Sequence, residues 1–501
     1  MPNRLLGSLT LLLIGLVAAC TGDEPSASSP TPAASPTASA TAGASATATA
    51  APPVMLEPGD ELQRIVEAHP AGSHFILTAG IYREQTITPR DGDVFEGEAG
   101  AILSGARELE GFSRDGELWS IGGQRQQGQR AGGCSTPEAL AEIGGYDGCR
   151  FPEQLFFDDQ PLWQVTARDQ LASGRWYFDY DDDRIYVADD PTSSVVEAST
   201  TAAAIRSESA GVTIRGLVVE KYSAPTQQGA IHAAGASGWV IEDNELRLNH
   251  GYGLRIGPEM EVRDNSVHHN GQLGIGGIGS RSLLVGNEIA YNHTAGFNEG
   301  WEAGGLKLVR SDGLVIRDNW VHHNAGRGIW TDIDVINLLV EDNLVESNSR
   351  GGIVHEISYA ARIVNNVASE NGLGFDPWLW GAQILVQNSS DVEVSGNVVT
   401  VSAAGGNGIT VVNQDRGSGN TGPYVSNRVT ISDNTIRHLG EKGTSGSHSC
   451  RATNENVFDA NTYEAPAVWF ERDRIMWCEL FSWAEFQAAG FEPAGTGVEI
   501  G

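Results

Sequence analysis

Residues 240–256, VIEDNELRLNHGYGLRI, hold two asparagines around a short apolar step, followed by a glycine-led apolar run. The same frame returns down the chain. NELRLN (Asn244 to Asn249) is followed by NSVHHN (Asn265 to Asn270), NEIAYN (Asn287 to Asn292), NWVHHN (Asn319 to Asn324), NLVESN (Asn343 to Asn348) and NVASEN (Asn366 to Asn371). Successive first asparagines lie 21, 22, 32, 24 and 23 residues apart, a period that marks stacked repeats rather than one globular core. So short a unit has no room for two helices. Two β runs, VIEDNEL and GYGLRIG, with glycine and asparagine at the corners, make each unit one coil of a parallel β-helix. Asparagine suits a corner because it tolerates left-handed backbone angles and its amide bonds to counterparts in the coils above and below. No reaction needs so many copies at one spacing, so these asparagines read as architecture.

The 501 residues include 62 glycines, enough chain for a long solenoid with accessory modules. Lys+Arg 32 against Asp+Glu 64 gives a formal net charge of -32, which argues against nucleic acid as a partner because phosphate binding needs a basic surface. A polyanionic glycan would be repelled too, unless calcium or a local basic patch intervened.

Arg4 precedes an apolar run from Leu5 to Ala19 that ends Val17-Ala18-Ala19-Cys20. The run is too short to span a membrane and resembles a bacterial lipoprotein signal, which implies cleavage before Cys20, lipidation of that cysteine and an extracytoplasmic, membrane-anchored protein. An uncleaved anchor is the competing reading. Residues 20–53, rich in Ser, Thr, Ala and Pro, read as a disordered tether after the 1–19 signal. In an exported chain the other four cysteines fall into locally spaced pairs, Cys134 with Cys149 and Cys450 with Cys478, most simply disulfides; neither has the C-x-x-C spacing of a metal site.

Residues 54–105 read as an N-terminal cap, with an amphipathic helix near Gly59 to His69, and the first coils. Period is lost over 106–199, where EQLFFDDQPLW, GRWYFDYDD and RIYVADD suggest an inserted antiparallel β module. The main solenoid runs over 200–440, and 441–501 reads as a disulfide-tied C-terminal cap with a helix near Ser482 to Ala489. The fold class is therefore all-β. Together the Asn-rich coils, TAGIYRE (78–84) and SWAEFQAAG (482–490) resemble secreted bacterial right-handed parallel β-helix repeat proteins of the pectate-lyase-like superfamily. That resemblance covers most of 54–501 and implies fold more than reaction, since the fold hosts lyases, hydrolases, epimerases, phage spikes and adhesins.

Chemistry then has to come from columns of the solenoid. The strands GLRIG (Gly253), GIGGI (Gly274), GLKLV (Gly305), GIWTDID (Gly328) and GIVHEIS (Gly352) align. Alternation puts Trp330, Asp332 and Asp334 on one face and Ile329, Thr331 and Ile333 on the other, with Lys307 in the column of Trp330 and Val354, and Asp332 in that of Glu356. Two outward carboxylates about 4.8 Å apart repel, raising one pKa as a general acid/base pair requires, and amide substitution of either should leave folding intact. Lysine is scarce, with only Lys221, Lys307 and Lys442. Insertions at 293–304 and 372–380 suggest a trough about 14 Å across, walled by Phe297 and Trp301 and by Phe375, Trp378 and Trp380, suited to stacking on sugar rings.

The leading expectation is a glycoside hydrolase acting on a polysaccharide or cell-surface glycan. Asp332 and Glu356 form the acid/base or nucleophile pair, Asp334 and Glu302 are secondary carboxylates, and Lys307 and Trp330 orient the sugar. The family resemblance also allows a lyase, with Lys307 as base and calcium on Asp332, Asp334 and Glu356; a third reading is a glycan-binding adhesin without catalysis. The competing structural reading has Trp330 covering an apolar patch and Asp332 and Asp334 capping turns. His355 falls in an inward column, where a buried, hydrogen-bonded histidine is as fitting as an acid/base or substrate-binding one. The pairs His268/His269 and His322/His323 lie about 9.6 Å apart along the stack, too far to share zinc.

Overall fold

The computed structural model describes residues 52–134, 147–373, 375, 378–449 and 454–500. Cys20, the 1–19 signal, the tether as far as residue 51, and Cys450 lie outside the described residues. Three long sheets, of 13, 12 and 13 strands, run the length of the body. Each coil contributes one strand to each, so a unit holds three strands and not the two expected. VIEDNEL is two of them: Val240–Glu242 and Glu245–Arg247 are separated by Asp243, whose φ of 55° turns the chain left-handed. Asp264, Asp318 and Asp342 take the same turn in later coils.

Inside, like side chains stack on like. Ile231, Leu254, Ile275, Leu306, Ile329, Ile353, Ile384 and Ile409 pair in register from coil to coil and are all buried. Each such aliphatic residue contributes about 1.5–3 kcal/mol by leaving water. The asparagines line two corners as continuous amide chains. In the first, Asn244 Nδ2 donates to Asn265 Oδ1 at 3.0 Å, and the chain passes through Asn287, Asn319, Asn343, Asn366, Asn397 and Asn434 to Asn461. It ends on Glu492 Oε1, 2.7 Å from Asn461 Nδ2. The second runs from Asn249 through Asn270, Asn292, Asn324 and Asn348 to Asn371, and closes on Gln383.

Between Ala106 and Ser199 the chain leaves the coils to form a five-stranded and a four-stranded sheet around their own core of Leu155, Trp176, Phe178, Ile185 and Val187. Pairing there is antiparallel except between Trp163–Val165 and Arg175–Asp179. Buried Lys221 fastens this module to the solenoid through Glu197 and Asp159. Cys134 and Cys149 are disulfide-bonded with Cα atoms 5.7 Å apart. Cys478 is disulfide-bonded as well. Helix Leu62–Ala68 covers one end of the stack, and helix Trp483–Ala488, with a Ser482/Glu485 capping box, packs at the other.

Candidate active site

The outer face of the 12-stranded sheet holds the candidate residues, and their register is as aligned from the sequence. Lys307 pairs with Trp330 and Trp330 with Val354, while Val309, Asp332, Glu356 and Gln387 form the adjoining column. Thr331 and His355 alternate inward from it. Thr331 Oγ1 lies 2.9 Å from His355 Nδ1, and His355 Nε2 lies 3.1 Å from the Tyr359 carbonyl. His355 is fully buried, and burial pulls its pKa down to about 4, so it is a neutral residue supporting the strand from beneath and not a substrate contact.

Each carboxylate has its own cation. Lys307 Nζ is 2.8 Å from Asp332 Oδ2, donates to the Trp301 carbonyl at 2.8 Å, and sits 3.5 Å from the centre of the Trp330 ring. Arg327 covers the same ring at 3.9 Å. Arg416 Nη1 reaches Glu356 Oε1 at 2.7 Å. Asp332 and Glu356 are 5% and 6% exposed, and Asp332 Oδ1 is buried with no hydrogen-bond partner. Burial pushes the Asp332 carboxyl above its usual range, Lys307 pulls it back, and repulsion from Glu356 adds to the rise. The expected repulsion therefore exists but is secondary to desolvation. The floor as a whole carries three cations against two carboxylates.

Asp334 does not share that floor. The strand ends at Asp332, and Ile333 and Asp334, with φ of 55° and 57°, turn the chain so that alternation stops. Asp334 Oδ1 accepts from the Tyr424 hydroxyl at 2.9 Å and the Asn420 amide at 3.1 Å, anchoring the loop that supplies Arg416. Among the described residues no three His, Cys, Asp or Glu side chains group as a metal-ion set, so Asp332, Asp334 and Glu356 do not form the calcium site considered from sequence. Glu302 stands apart from the pair, bonded to the Tyr252 hydroxyl and to Gln227 Nε2.

The expected walls are only partly walls. Trp301 and Trp378 are 37% and 42% exposed and available to a ligand. Trp380 is half-buried against the cluster of Trp330, Val354 and Leu385. Phe297 is fully buried against Cys149 and His250, and Phe375 lies under the Arg350 guanidinium at 3.9 Å. Arg350 also pairs with Glu299, and Arg327 donates to the Glu299 carbonyl at 3.1 Å. The corner side of the trough is thus filled by arginines rising from the short turns. Sequence reading missed Arg327 and Arg416. Gly328 and Ile329 both face inward, where a Cβ on Gly328 would come 2.9 Å from Val345 Cγ1; counting alternation from Gly328 hides Arg327 on the outer face. Arg416 arrives from a loop 60 residues beyond Glu356, which no local pattern signals.

A family model for the right-handed β-helix region matches residues 229–399. The fold is a right-handed parallel β-helix. No curated protein sequence matches the chain significantly. Among solved structures, XylC in complex with xylose aligns over 80% of this chain and 80% of that one, with 14% identity and a TM-score of 0.55. The A-module of the Azotobacter vinelandii mannuronan C-5 epimerase AlgE6 aligns over 80% of this chain and 93% of its own, with 13% identity and a TM-score of 0.39. A protein described as a glycoside hydrolase aligns over 77% and 89%, with 12% identity and a TM-score of 0.34. At these identities what is shared is the β-helix.

Proposed function

We propose that this β-helix hydrolyses a glycan, with Asp332 and Glu356 as the paired carboxylates. The observation that supports it is the state of Asp332: one oxygen is fixed by Lys307, and the other is buried, unpartnered and on the same face as Glu356 one coil away. A carboxylate held in this way is set to attack or to stabilise a cationic sugar centre. Asp332, fixed by Lys307, is assigned as the carboxylate that faces the sugar, and Glu356, released from Arg416 when substrate enters, as the proton donor. In the bond-breaking step Glu356 protonates the leaving oxygen while Asp332 faces the anomeric carbon; water then completes the hydrolysis with Glu356 as base. Exposed Trp301 and Trp378 offer faces for sugar rings.

Lys307 is poorly suited to be the base of a lyase. Its side-chain nitrogen is already engaged by the Trp301 carbonyl, Asp332 and the Trp330 face at once, so it is committed to contacts within the protein and not to a substrate proton. Product chemistry decides the reading: new reducing ends without unsaturated uronate from a polysaccharide panel support hydrolysis, whereas unsaturated products overturn it. Binding without either product would leave the adhesin reading. We further propose an extracytoplasmic protein tethered through a lipidated Cys20, on the strength of the Leu5 to Cys20 segment. Cys20→Ser should abolish acylation and membrane retention, and a variant still lipidated would refute this.

A further inference from the structure

Beside the reaction floor, a cleft of about 430 Å³ lies between the inserted module and the solenoid. Gln129, Ala131, Gly132 and Gly133 line it from the module, Thr226 to Gln228 and Arg255 from the solenoid, and Trp301 from the 293–304 loop. The roof is built to fit closely. Thr226 Oγ1 donates to the Ala131 carbonyl at 2.6 Å, the Asn298 amide to the Gly133 carbonyl at 2.9 Å, and Gly132, at φ +99°, approaches Thr226 and Phe297 so nearly that a Cβ would meet both. The cleft lies next to Lys307, because Trp301, whose carbonyl accepts the Lys307 ammonium, is one of its lining residues.

Arg255 is the charged group of this cleft, and it lacks the partner its neighbours have. Arg215, Arg247 and Arg263, in the same run of coils, each contact a glutamate. The Arg255 guanidinium instead donates to the Gln227 carbonyl, and its Nε is buried with no hydrogen-bond partner. Along its column Arg206 adds positive charge two coils away, and the carboxylate beside the cleft, Glu302, is held by Gln227 Nε2 and the Tyr252 hydroxyl. His232 pairs with Arg255 on one side and Arg206 on the other, and burial first, then both arginines, pull its pKa down to about 4. On the far side, Gly276 separates Arg255 from Lys307 in register and leaves room for the Tyr252 ring, which a Cβ there would strike at 2.5 Å. Two coil spacings put Arg255 about 10 Å from Lys307 along their shared column, in a neighbouring sugar position.

We infer that this cleft is a subsite for an acidic sugar unit, whose carboxylate takes the unpaired donor of Arg255 while Trp301 packs on the ring. The inference rests on the glycan reading of the adjoining floor and adds its substrate class. A guanidinium with a free donor favours a planar carboxylate in two-point contact, and 430 Å³ is within the range of small-ligand sites. The net charge of -32 restricts the ligand further, since a strong polyanion would be repelled outside this patch. An otherwise neutral glycan with isolated acidic units fits both facts.

The test is calorimetric binding to Asp332→Asn, which holds substrate without turning it over. The probes are oligosaccharides carrying one glucuronate or galacturonate, each with its carboxyl-reduced twin and a twin bearing one sulfate ester. The acidic member should bind at least 10-fold more tightly than its reduced twin. Arg255→Gln should erase that preference and leave the reduced twin's affinity unchanged; Arg255→Lys, which keeps the charge, should retain part of it. A stronger preference for the sulfated twin would assign the ester as the recognised group in place of the carboxylate and overturn the uronate reading. Equal binding of acidic and reduced twins overturns it as well, as does a preference that survives Arg255→Gln or a loss shared equally by both twins. Acid-selective binding by a wild type that releases no reducing ends would sink the hydrolase reading alone. Hydrolysis without acid selectivity would sink this inference alone.

Discussion

Asp332 and Lys307 form a buried ion pair, so changing either removes charge from one side only. Asp332→Asn should therefore lose stability, by about 3 kcal/mol in urea melts, as well as at least about 100-fold in turnover. This revises the expectation from sequence that amide substitution would spare the fold. Glu356→Gln, which strands Arg416, should behave alike. Because burial raises the Asp332 carboxyl and the ionised form is the active one, the acid limb of kcat/KM should lie above the ordinary aspartate range. Lys307→Met removes the main opposing influence, so the limb should move higher still; an unchanged limb would place the ionising group elsewhere. Periodicity made Lys307, Trp330, Asp332 and Glu356 legible as neighbours because register is a local, repeating property. It could not show that each carboxylate is neutralised by a partner, because Arg416 comes from a distant loop and Arg327 is hidden where two successive residues face inward.

At the scale of the element, the asparagine corner was the most legible feature, since one chemical constraint is repeated in every coil. The two N–H groups of Asn319 Nδ2 are shared among Leu284 O, Arg317 O and Asn343 Oδ1, while its Oδ1 accepts from the Asn287 backbone and side-chain amides, all within 3.0 Å. Asn319→Ala would leave several buried groups unpaired, and should cost about 3 kcal/mol or more by denaturant titration. A loss below about 1 kcal/mol would mean the amide chain contributes little. The three-strand coil was less legible: VIEDNEL reads as one run because the Asp243 bend changes backbone angles without interrupting the apolar pattern. The Cys134–Cys149 link holds the segment that roofs the Arg255 cleft against Phe297 and Ala303. Its reduction should raise hydrogen exchange at 129–134 and 297–303 while the solenoid core stays protected.

Over the whole molecule, pH acts through buried groups of opposite sign. His232, His250 and His355, depressed to about 4, and His438, to about 3, are neutral when folded; the stability they supply is full above 6.5 and is lost as pH falls toward those values. Glu492, at the end of the first amide chain, is raised to about 7 by burial, so its contribution is full below 4.5 and is lost as pH rises to 7. With His269 and His293 also lowered by burial, the depressed histidines outnumber the raised carboxyls Glu153, Asp332 and Glu492, and melting temperature should fall on acidification from 6.5 to 4.5. Glu492→Gln should steepen that fall, with a differential of about 2 kcal/mol across the window. A variant whose pH profile parallels the wild type would show that Glu492 is not protonated in the fold. The central claim concerns the reaction at the Asp332–Glu356 floor, and its most direct test is cleavage of the screened glycan in H₂¹⁸O. The account requires one ¹⁸O in each new reducing end, no unsaturated product, and at least about 100-fold less product from Asp332→Asn and Glu356→Gln. Unsaturated ends without ¹⁸O, or near-normal turnover in both variants, would contradict it.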